Sequence, residues 1–347
     1  MAYTDFIPQN VAPLGARRIG IYDVNGNRVG QMPLGGLLPP TPGKKQYSFG
    51  AVSDIHLQYD TAQDDFRRAL EYLNGDEDVA FTCICGDLTS NGMASELQVF
   101  KNYIDAYSSG TPTYAVAGNH DATNALEFDT LRPYTGHGLW YSFEYKGDVF
   151  IMVGEKAWDY EWPFSVEEMQ WLYEMLEANR NKRCFVFQHL LSFDGCGNPY
   201  PGVSPTTDIL GGADGTRFSN VPGRIFLSLM QHYKNCIWFH GHSHTAFECQ
   251  ADNPMANYDR YYGIHSVHIP SLAVTREYEE SGYVPRYSES EGYVVDVYPD
   301  GIHLRGRDFV KGEFLPIASY WLETKLMEVP GGTYVDGTGT INTEVSG

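Results

Sequence analysis

No stretch of the sequence holds the ~20 consecutive apolar residues that a membrane-spanning helix requires, so no helical membrane span is expected. The opening MAYTDFIPQN lacks the basic n-region and apolar h-region of a secretory signal, and the expectation is a mature or cytoplasmic chain. Basic residues are scarce. Lys and Arg number 24 against 44 Asp and Glu, a formal charge of -20, and that field repels a polyanion such as nucleic acid. A small phosphate ester is not excluded, because bound divalent ions reverse the local potential inside a pocket. Cysteines are also few, six in all, and no C-x-x-C pair offers a thiolate zinc site. Cys83, Cys85, Cys184 and Cys236 fall in apolar, strand-like runs and read as buried thiols. Cys196 and Cys249 lie in looser segments and would pair only in an oxidising compartment; reduced thiols are expected. No internal repeat is visible.

What is present suffices for a large core: 347 residues, 42% of them hydrophobic. Residues 1–45 read as an appendage. Ile19 to Met32 alternates around Asn25-Gly26, a hairpin signal, and Pro39 to Gly43 forms a stiff linker, which leaves a partner docked through this hairpin as one possibility. From Gln46 onward, short apolar runs alternate with amphipathic patterns, the signature of an α/β protein with a largely parallel sheet. The strand candidates are Tyr47 to Val52, Val79 to Cys85, Thr113 to Val116, Val149 to Val153, Cys184 to Phe187 and Cys236 to Phe239. Phe66, Ala69, Leu70 and Leu73 share one helix face, and Phe100, Tyr103, Ile104 and Tyr107 another. Ser165 and Glu168 form a capping box ahead of Met169, Leu172 and Leu176, and Ile225 to Met230 is a shorter helix. Tyr293 to Tyr298 and Ile302 to Arg305 read as an antiparallel hairpin. The main domain is taken as 46–325, with a Gly/Thr-rich tail over 326–347.

Five of the six strands are followed at once by side chains that bind metals: Asp54 and His56, Asp87, Asn119-His120-Asp121, His189, and His242 with His244. In an open α/β sheet the carboxyl ends of the strands line the ligand crevice, so these groups should converge. Two Asp, one Asn and four His supply oxygen and imidazole nitrogen without thiolate, a set suited to Mn, Fe, Zn or Co. Two such ions ~3.5 to 4 Å apart need a carboxylate between them, and Asp87 is the natural bridge. Gly86, Gly118 and Gly241 leave the backbone room to approach.

At these residues, over roughly 48–305, the sequence resembles the calcineurin-like metallophosphoesterase family, whose D-x-H, G-D, G-N-H-D/E, H and G-H-x-H blocks all occur here in order. The resemblance implies a four-layer αββα fold, two sheets flanked by helices, with antiparallel C-terminal strands completing the second sheet. It implies two metal ions (Mn, Fe or Zn), one held by Asp54, His56, Asp87 and His244, the other by Asp87, Asn119, His189 and His242. His120 matches the residue that protonates the leaving oxygen, and Asp121 the carboxylate that orients it. The implied reaction is hydrolysis of a phosphate ester by a metal-bridging hydroxide. A diester is favoured over a monoester; a non-catalytic metal-binding assembly module is the alternative from another class.

Among the remaining histidines, His240 could either support the site or face inward, His265 and His268 read as packing or sheet residues, and His137, His232 and His303 have no ligand-like setting. Asp194 to Gly223, rich in Gly and Pro directly after His189, is the expected lid or specificity element.

Overall fold

The computed structural model describes residues 11–13, 19–22, 28–32, 43–59, 61–158, 163–192, 196–197, 221–250, 258–259, 265–279, 282–324, 334–335 and 341–342. Alternation along the strands explains the architecture. Phe49, Ala51, Cys83, Cys85 and Val116 from one sheet pack against Phe150, Met152, Phe185, Phe187, Ile237 and Phe239 from the other. The residues between them in sequence point outward. Val52, Ile84, Ala115 and Ala117 meet Phe66, Leu70, Leu73 and Phe100 on one side. Val149, Ile151, Val153, Val186 and Trp238 meet Met169, Leu172, Leu176, Phe226 and Met230 on the other. A strand buried on both faces reads as a continuous apolar run, as these do. The result is the expected four layers, helix, sheet, sheet, helix, and each fully buried Phe or Leu contributes roughly 1.5 to 3 kcal/mol.

The first sheet has seven strands in the order Val11–Pro13, Glu313–Glu323, Gly301–Asp308, Glu291–Val297, Tyr47–Val52, Thr82–Cys85 and Thr113–Val116. The second has six: Tyr258–Asp259, His265–His268, Cys236–His240, Cys184–Phe187, Asp148–Val153 and Trp140–Tyr145. Tyr47–Val52, Thr82–Cys85 and Thr113–Val116 run parallel. So do Asp148–Val153, Cys184–Phe187, Cys236–His240 and His265–His268. The parallel strands expose the same end, and there the site is built. The N-terminal strands Ile19–Tyr22 and Arg28–Met32 pair antiparallel with one another.

Some expectations needed correction. The C-terminal hairpin does not complete the second sheet: Glu291–Val297 pairs antiparallel with Tyr47–Val52, Val295 opposite Phe49, and so extends the first. Tyr293, Val295 and Val297 enter the same inter-sheet core as Phe49, which fixes that choice. The apolar run at Val79 becomes a strand only at Thr82. The preceding helix Ala62–Glu71 continues into a wider turn, Tyr72–Asp76, and the Val79 amide closes back on the Leu73 carbonyl at 3.1 Å. Most of 194–223 and the linker 39–42 lie outside the described residues. Among the described residues no helix is long and apolar enough to cross a membrane. No disulfide joins any of the six cysteines, so Cys196 and Cys249 do not pair.

Candidate metal centre

The loops that leave the parallel strands are laced together by their backbones. The Asp54 amide donates to the Gly86 carbonyl at 3.1 Å, those of Ile55 and His56 to the Asp87 carbonyl at 2.9 and 3.0 Å, and that of Gly241 to the His189 carbonyl at 3.0 Å. Turning a chain out of the pleat this sharply strains it. Eight non-glycine residues among those described have positive φ, and five are Asp54 (54°), His56 (41°), Asp87 (50°), His242 (75°) and His244 (60°). A left-handed L-residue costs about 1 kcal/mol or more, and such strain concentrates at functional sites. Two glycines permit the approach. A Cβ on Gly86 would sit 2.6 Å from the His189 ring, and one on Gly118 would lie 2.5 Å from the Asp87 amide nitrogen and overlap its carboxylate.

The side chains of Asp54, His56, Asp87 and His244 bring their ligand atoms within 4.8 Å of one another, and those of Asp87, His189 and His242 do the same. Asp87 belongs to both groups, and all seven sequence-predicted ligands are buried. Asp54 Oδ1 lies 3.0 Å from His244 Nε2 and 3.8 Å from His189 Nε2. Asp87 Oδ2 lies 3.2 Å from His189 Nε2 and 3.4 Å from His56 Nε2. Asn119 sits in the next loop with its Oδ1 buried and unpartnered.

Tautomers decide what these short distances mean. His189 Nδ1 donates to the Cys85 carbonyl at 2.7 Å, and His244 Nδ1 to that of Val274 at 2.9 Å. A carbonyl only accepts, so in the neutral rings each proton is on Nδ1 and the Nε2 lone pair faces the cluster. His244 Nε2 then turns its lone pair toward Asp54 Oδ1 at 3.0 Å, acceptor facing acceptor, with His56 Nε2 at 3.1 Å. Asp54 Oδ1, His189 Nε2 and Asn119 Oδ1 are all buried without a hydrogen-bond partner. Electron-rich atoms gathered in this way repel unless a cation lies among them, and the hard oxygen and imidazole donors suit a divalent transition ion.

The protonation states suit the same occupant. Burial works against the charge on Asp54, but the imidazoles of His244 and His189 outweigh it and hold the carboxyl well below its usual range. Burial pushes His56 and His242 each down to about 3, keeping both rings neutral. His189 is the exception: burial lowers it, yet Asp87 and Asp54 hold it above its ordinary value, as a proton would be held where a cation is wanted.

His120 stands at the rim, its ring 4.8 Å from that of His56 and 4.7 Å from Trp158. Its amide donates to Asp87 Oδ1 at 2.9 Å, and its Nδ1 hydrogen-bonds the Ser90 carbonyl at 2.8 Å. The expected orienter, Asp121, is placed differently. Its two oxygens accept from the amides of Leu88, Thr89 and Gly118 and from the Thr89 hydroxyl, at 2.8 to 3.0 Å. Asp121 therefore ties the Asp87 loop to the Asn119 loop, and the Ser90 carbonyl steadies His120. A backbone acceptor leaves no trace in residue type, so sequence reasoning could not find it.

The other histidines sort plainly. His240 hydrogen-bonds Ser266 Oγ at 2.9 Å beneath the site. His268 braces the His242–His244 turn from below, with Nε2 3.2 Å from the Thr245 carbonyl and 3.4 Å from Ser243 Oγ. His265 pairs with Tyr258, His303 with Ser319, and His137 stacks on Tyr141. Within 194–223, the described Gly197 carbonyl accepts from Ser243 and Thr245.

Residues 47–246, more than half of the chain, match the family described as Calcineurin-like phosphoesterase. The chain belongs to that family. No curated protein matches it by sequence. Among solved structures it is similar to the purple acid phosphatase PPD1 from yellow lupin (Lupinus luteus) seeds, with a TM-score of 0.52 and 14% identity over 87% of this chain. It spans 58% of that protein's length, and the likeness is one of fold. A predicted phosphoesterase from Streptococcus pneumoniae TIGR4 matches 80% of this chain and 97% of its own at TM-score 0.38 and 11% identity. Vacuolar Protein Sorting 29 from Cryptosporidium parvum matches 78% and 94% at TM-score 0.35 and 9% identity.

Proposed function

We propose that this calcineurin-like phosphoesterase hydrolyses a phosphate ester, preferentially a diester, at two metal ions. Asp54, His56, Asp87 and His244 would hold one ion, Asp87, Asn119, His189 and His242 the other. The observation that carries the reading is the gathering of unpartnered polar atoms on Asp54, His189 and Asn119 around Asp87, with Asp54 and Asp87 themselves on left-handed backbone. When bound, such ions supply an acidified water and neutralise phosphate oxygens.

The chain's own residues do the rest. Asp87, shared by both groups, fixes the separation of the two halves of the site. Asp121 holds the loops of Asp87 and Asn119 in register through four donated hydrogen bonds. His120 Nδ1–H donates to the Ser90 carbonyl, which fixes the ring, and in the imidazolium form Nε2 carries the proton handed to the leaving oxygen. Trp158, 40% exposed and against the His120 ring, offers the leaving group an apolar wall on that side.

Hydrolysis of bis-p-nitrophenyl phosphate beside p-nitrophenyl phosphate tests the proposal, on protein loaded with Mn²⁺, with chelated protein and Asp87→Asn as controls. Metal-dependent turnover that is absent in both controls, faster on the diester, is expected. Two bound metals with no turnover of either ester would instead favour a non-catalytic metal-binding module.

A further inference from the structure

Opposite Trp158, the rim is formed by residues that no motif marks. Tyr59 follows the Asp54–His56 turn, its amide donating to the His56 carbonyl at 2.9 Å, and its ring stacks on that of His56 at 5.1 Å and 24°. Beside it runs the strand Thr275–Glu279. Arg276 on this strand is sewn to the second ligand turn from both sides: its amide donates to the His244 carbonyl at 2.8 Å, and its carbonyl accepts from Ala246 at 3.0 Å. Its half-buried guanidinium lies 4.3 Å over the ring of Tyr283. Arg276 Nε is buried with no hydrogen-bond partner, and among the described residues no carboxylate pairs with the side chain. Elsewhere arginines take such partners: Arg183 has Asp148, Arg305 has Glu77 and Asp296, and Arg286 has Glu248 and Glu289. Arg307, stacked over Tyr72, likewise has no carboxylate partner among the described residues; what sets Arg276 apart is its place beside the His244 turn, where an anionic ligand can supply the partner.

We propose that Arg276 is the phosphate-positioning residue of this site, donating to a non-bridging phosphate oxygen of the substrate, with Tyr283 holding the plane of its guanidinium. This deepens the phosphoesterase reading and rests on it. A planar fork locked over an aromatic ring loses little freedom on binding and matches two oxygens of one phosphate. Tyr59 and Trp158 then stand at the two ends of a row of rings, Tyr59, His56, His120, Trp158, spaced 5.1, 4.8 and 4.7 Å. The phosphate is gripped at the Tyr59 end and the leaving group lies toward the Trp158 end.

The test compares wild type with Arg276→Ala and Arg276→Lys, all as the full chain loaded with Mn²⁺. Orthophosphate binding is measured by calorimetry, and hydrolysis of bis-p-nitrophenyl phosphate by steady-state kinetics, with metal content and melting temperature as controls. Arg276→Ala should weaken orthophosphate about ten- to a hundredfold, the range of one charge-assisted hydrogen bond, and raise KM by a similar factor. Its kcat should move by less than about threefold, because the contact exists in ground and transition states alike. Arg276→Lys should recover part of the loss. Orthophosphate affinity within about twofold of wild type in an active, metal-replete Arg276→Ala enzyme would overturn the inference and leave the phosphoesterase reading intact. A wild type that takes up manganese but neither binds orthophosphate nor turns over an ester would overturn both. If Arg276→Ala folds poorly, Arg276→Gln, which keeps most of the stem against Tyr283, is read by the same criteria.

Discussion

Replacing Asp87 by Asn isolates the shared ligand with little disturbance to the fold. Asn tolerates the left-handed backbone at φ 50°, and its carbonyl oxygen still accepts the His120 amide that Asp87 Oδ1 accepts at 2.9 Å. What is lost is the charge on Oδ2, which faces His189 Nε2 at 3.2 Å and His56 Nε2 at 3.4 Å. In metal-free protein the loss is modest, because His189 can release its proton rather than remain an unpaired buried charge; a fall below about 2 kcal/mol is expected against the ~3 to 5 kcal/mol of a broken fixed pair. With metal the contrast is large. An ion at about one hundred times its Kd stabilises by about 2.7 kcal/mol per site, so two sites give about 5 kcal/mol, a rise of about 10 °C in Tm for a domain of this size. Asp87→Asn should lose nearly all of that rise, because the residue belongs to both groups of ligands. Thermal melts with and without Mn²⁺, alongside metal content by mass spectrometry, read both quantities. Two ions per chain and a wild-type rise in Tm in Asp87→Asn would refute the shared-ligand geometry.

Three further substitutions separate the roles assigned above. His120→Asn should slow alkyl phosphodiesters by about a hundredfold or more and nitrophenyl esters by less than about tenfold, since nitrophenolate leaves without a proton; equal losses would count against proton donation. Asp121→Ala strips the acceptor from four buried donors, each worth roughly 1 to 3 kcal/mol when left unmade, and should lower Tm by more than about 6 °C; an unchanged melt with lost kcat would restore the orienting role. Glu291 is buried with Oε1 unpartnered, and burial, with Glu289 and Asp308 nearby, raises its pKa from 4.5 to about 8 even though the Phe247 amide opposes this. The folded state thus holds a proton that the unfolded chain sheds, so stability is fully present below pH 4.5 and is lost as pH rises toward 8, by on the order of 5 kcal/mol at most. Glu291→Gln should flatten that slope and melt higher than wild type at pH 8; parallel pH profiles would show that Glu291 does not carry it.

The parts of this protein that were legible in the sequence are those where residue type and spacing are dictated together. A strand buried on both faces must be apolar throughout, so Tyr47–Val52 and Cys184–Phe187 stand out, and a ligand at a strand end must be Asp, Asn or His, so Asp54, Asp87 and His189 stand out beside them. Trp140–Tyr145 was missed because it forms an edge of its sheet and is half-buried along most of its length, which blurs any alternation. The placement of the C-terminal strands depended on long-range pairing with Phe49 and its neighbours, which leaves no local pattern. His120 Nδ1 meets the Ser90 carbonyl and not the expected Asp121. The type of Asp121 announces an acceptor, while the donors it meets, the amides of Leu88, Thr89 and Gly118, are backbone groups that any residue supplies. Arg276 is the same problem reversed: nothing in its sequence neighbourhood shows that its strand will lie against the His244 turn.

The strain, in the Asp54, Asp87 and His242 loops, and the unpaired atoms, in the Asp54, Asn119 and His189 loops, converge on one cluster, and their energetics are therefore linked. Five left-handed candidate ligands at about 1 kcal/mol or more each, together with the buried, unpartnered oxygens of Asp54 and Asn119, oppose folding by several kcal/mol. The surrounding layers supply the offset, because the loops are only short excursions from strands whose Phe and Val side chains are fully buried on both faces. A cation held among these side chains would offset that cost by exchanging mutual repulsion for coordination. The same geometry that makes the loops costly when empty leaves little reorganisation to be done on binding, which is what a preorganised hydrolytic centre requires.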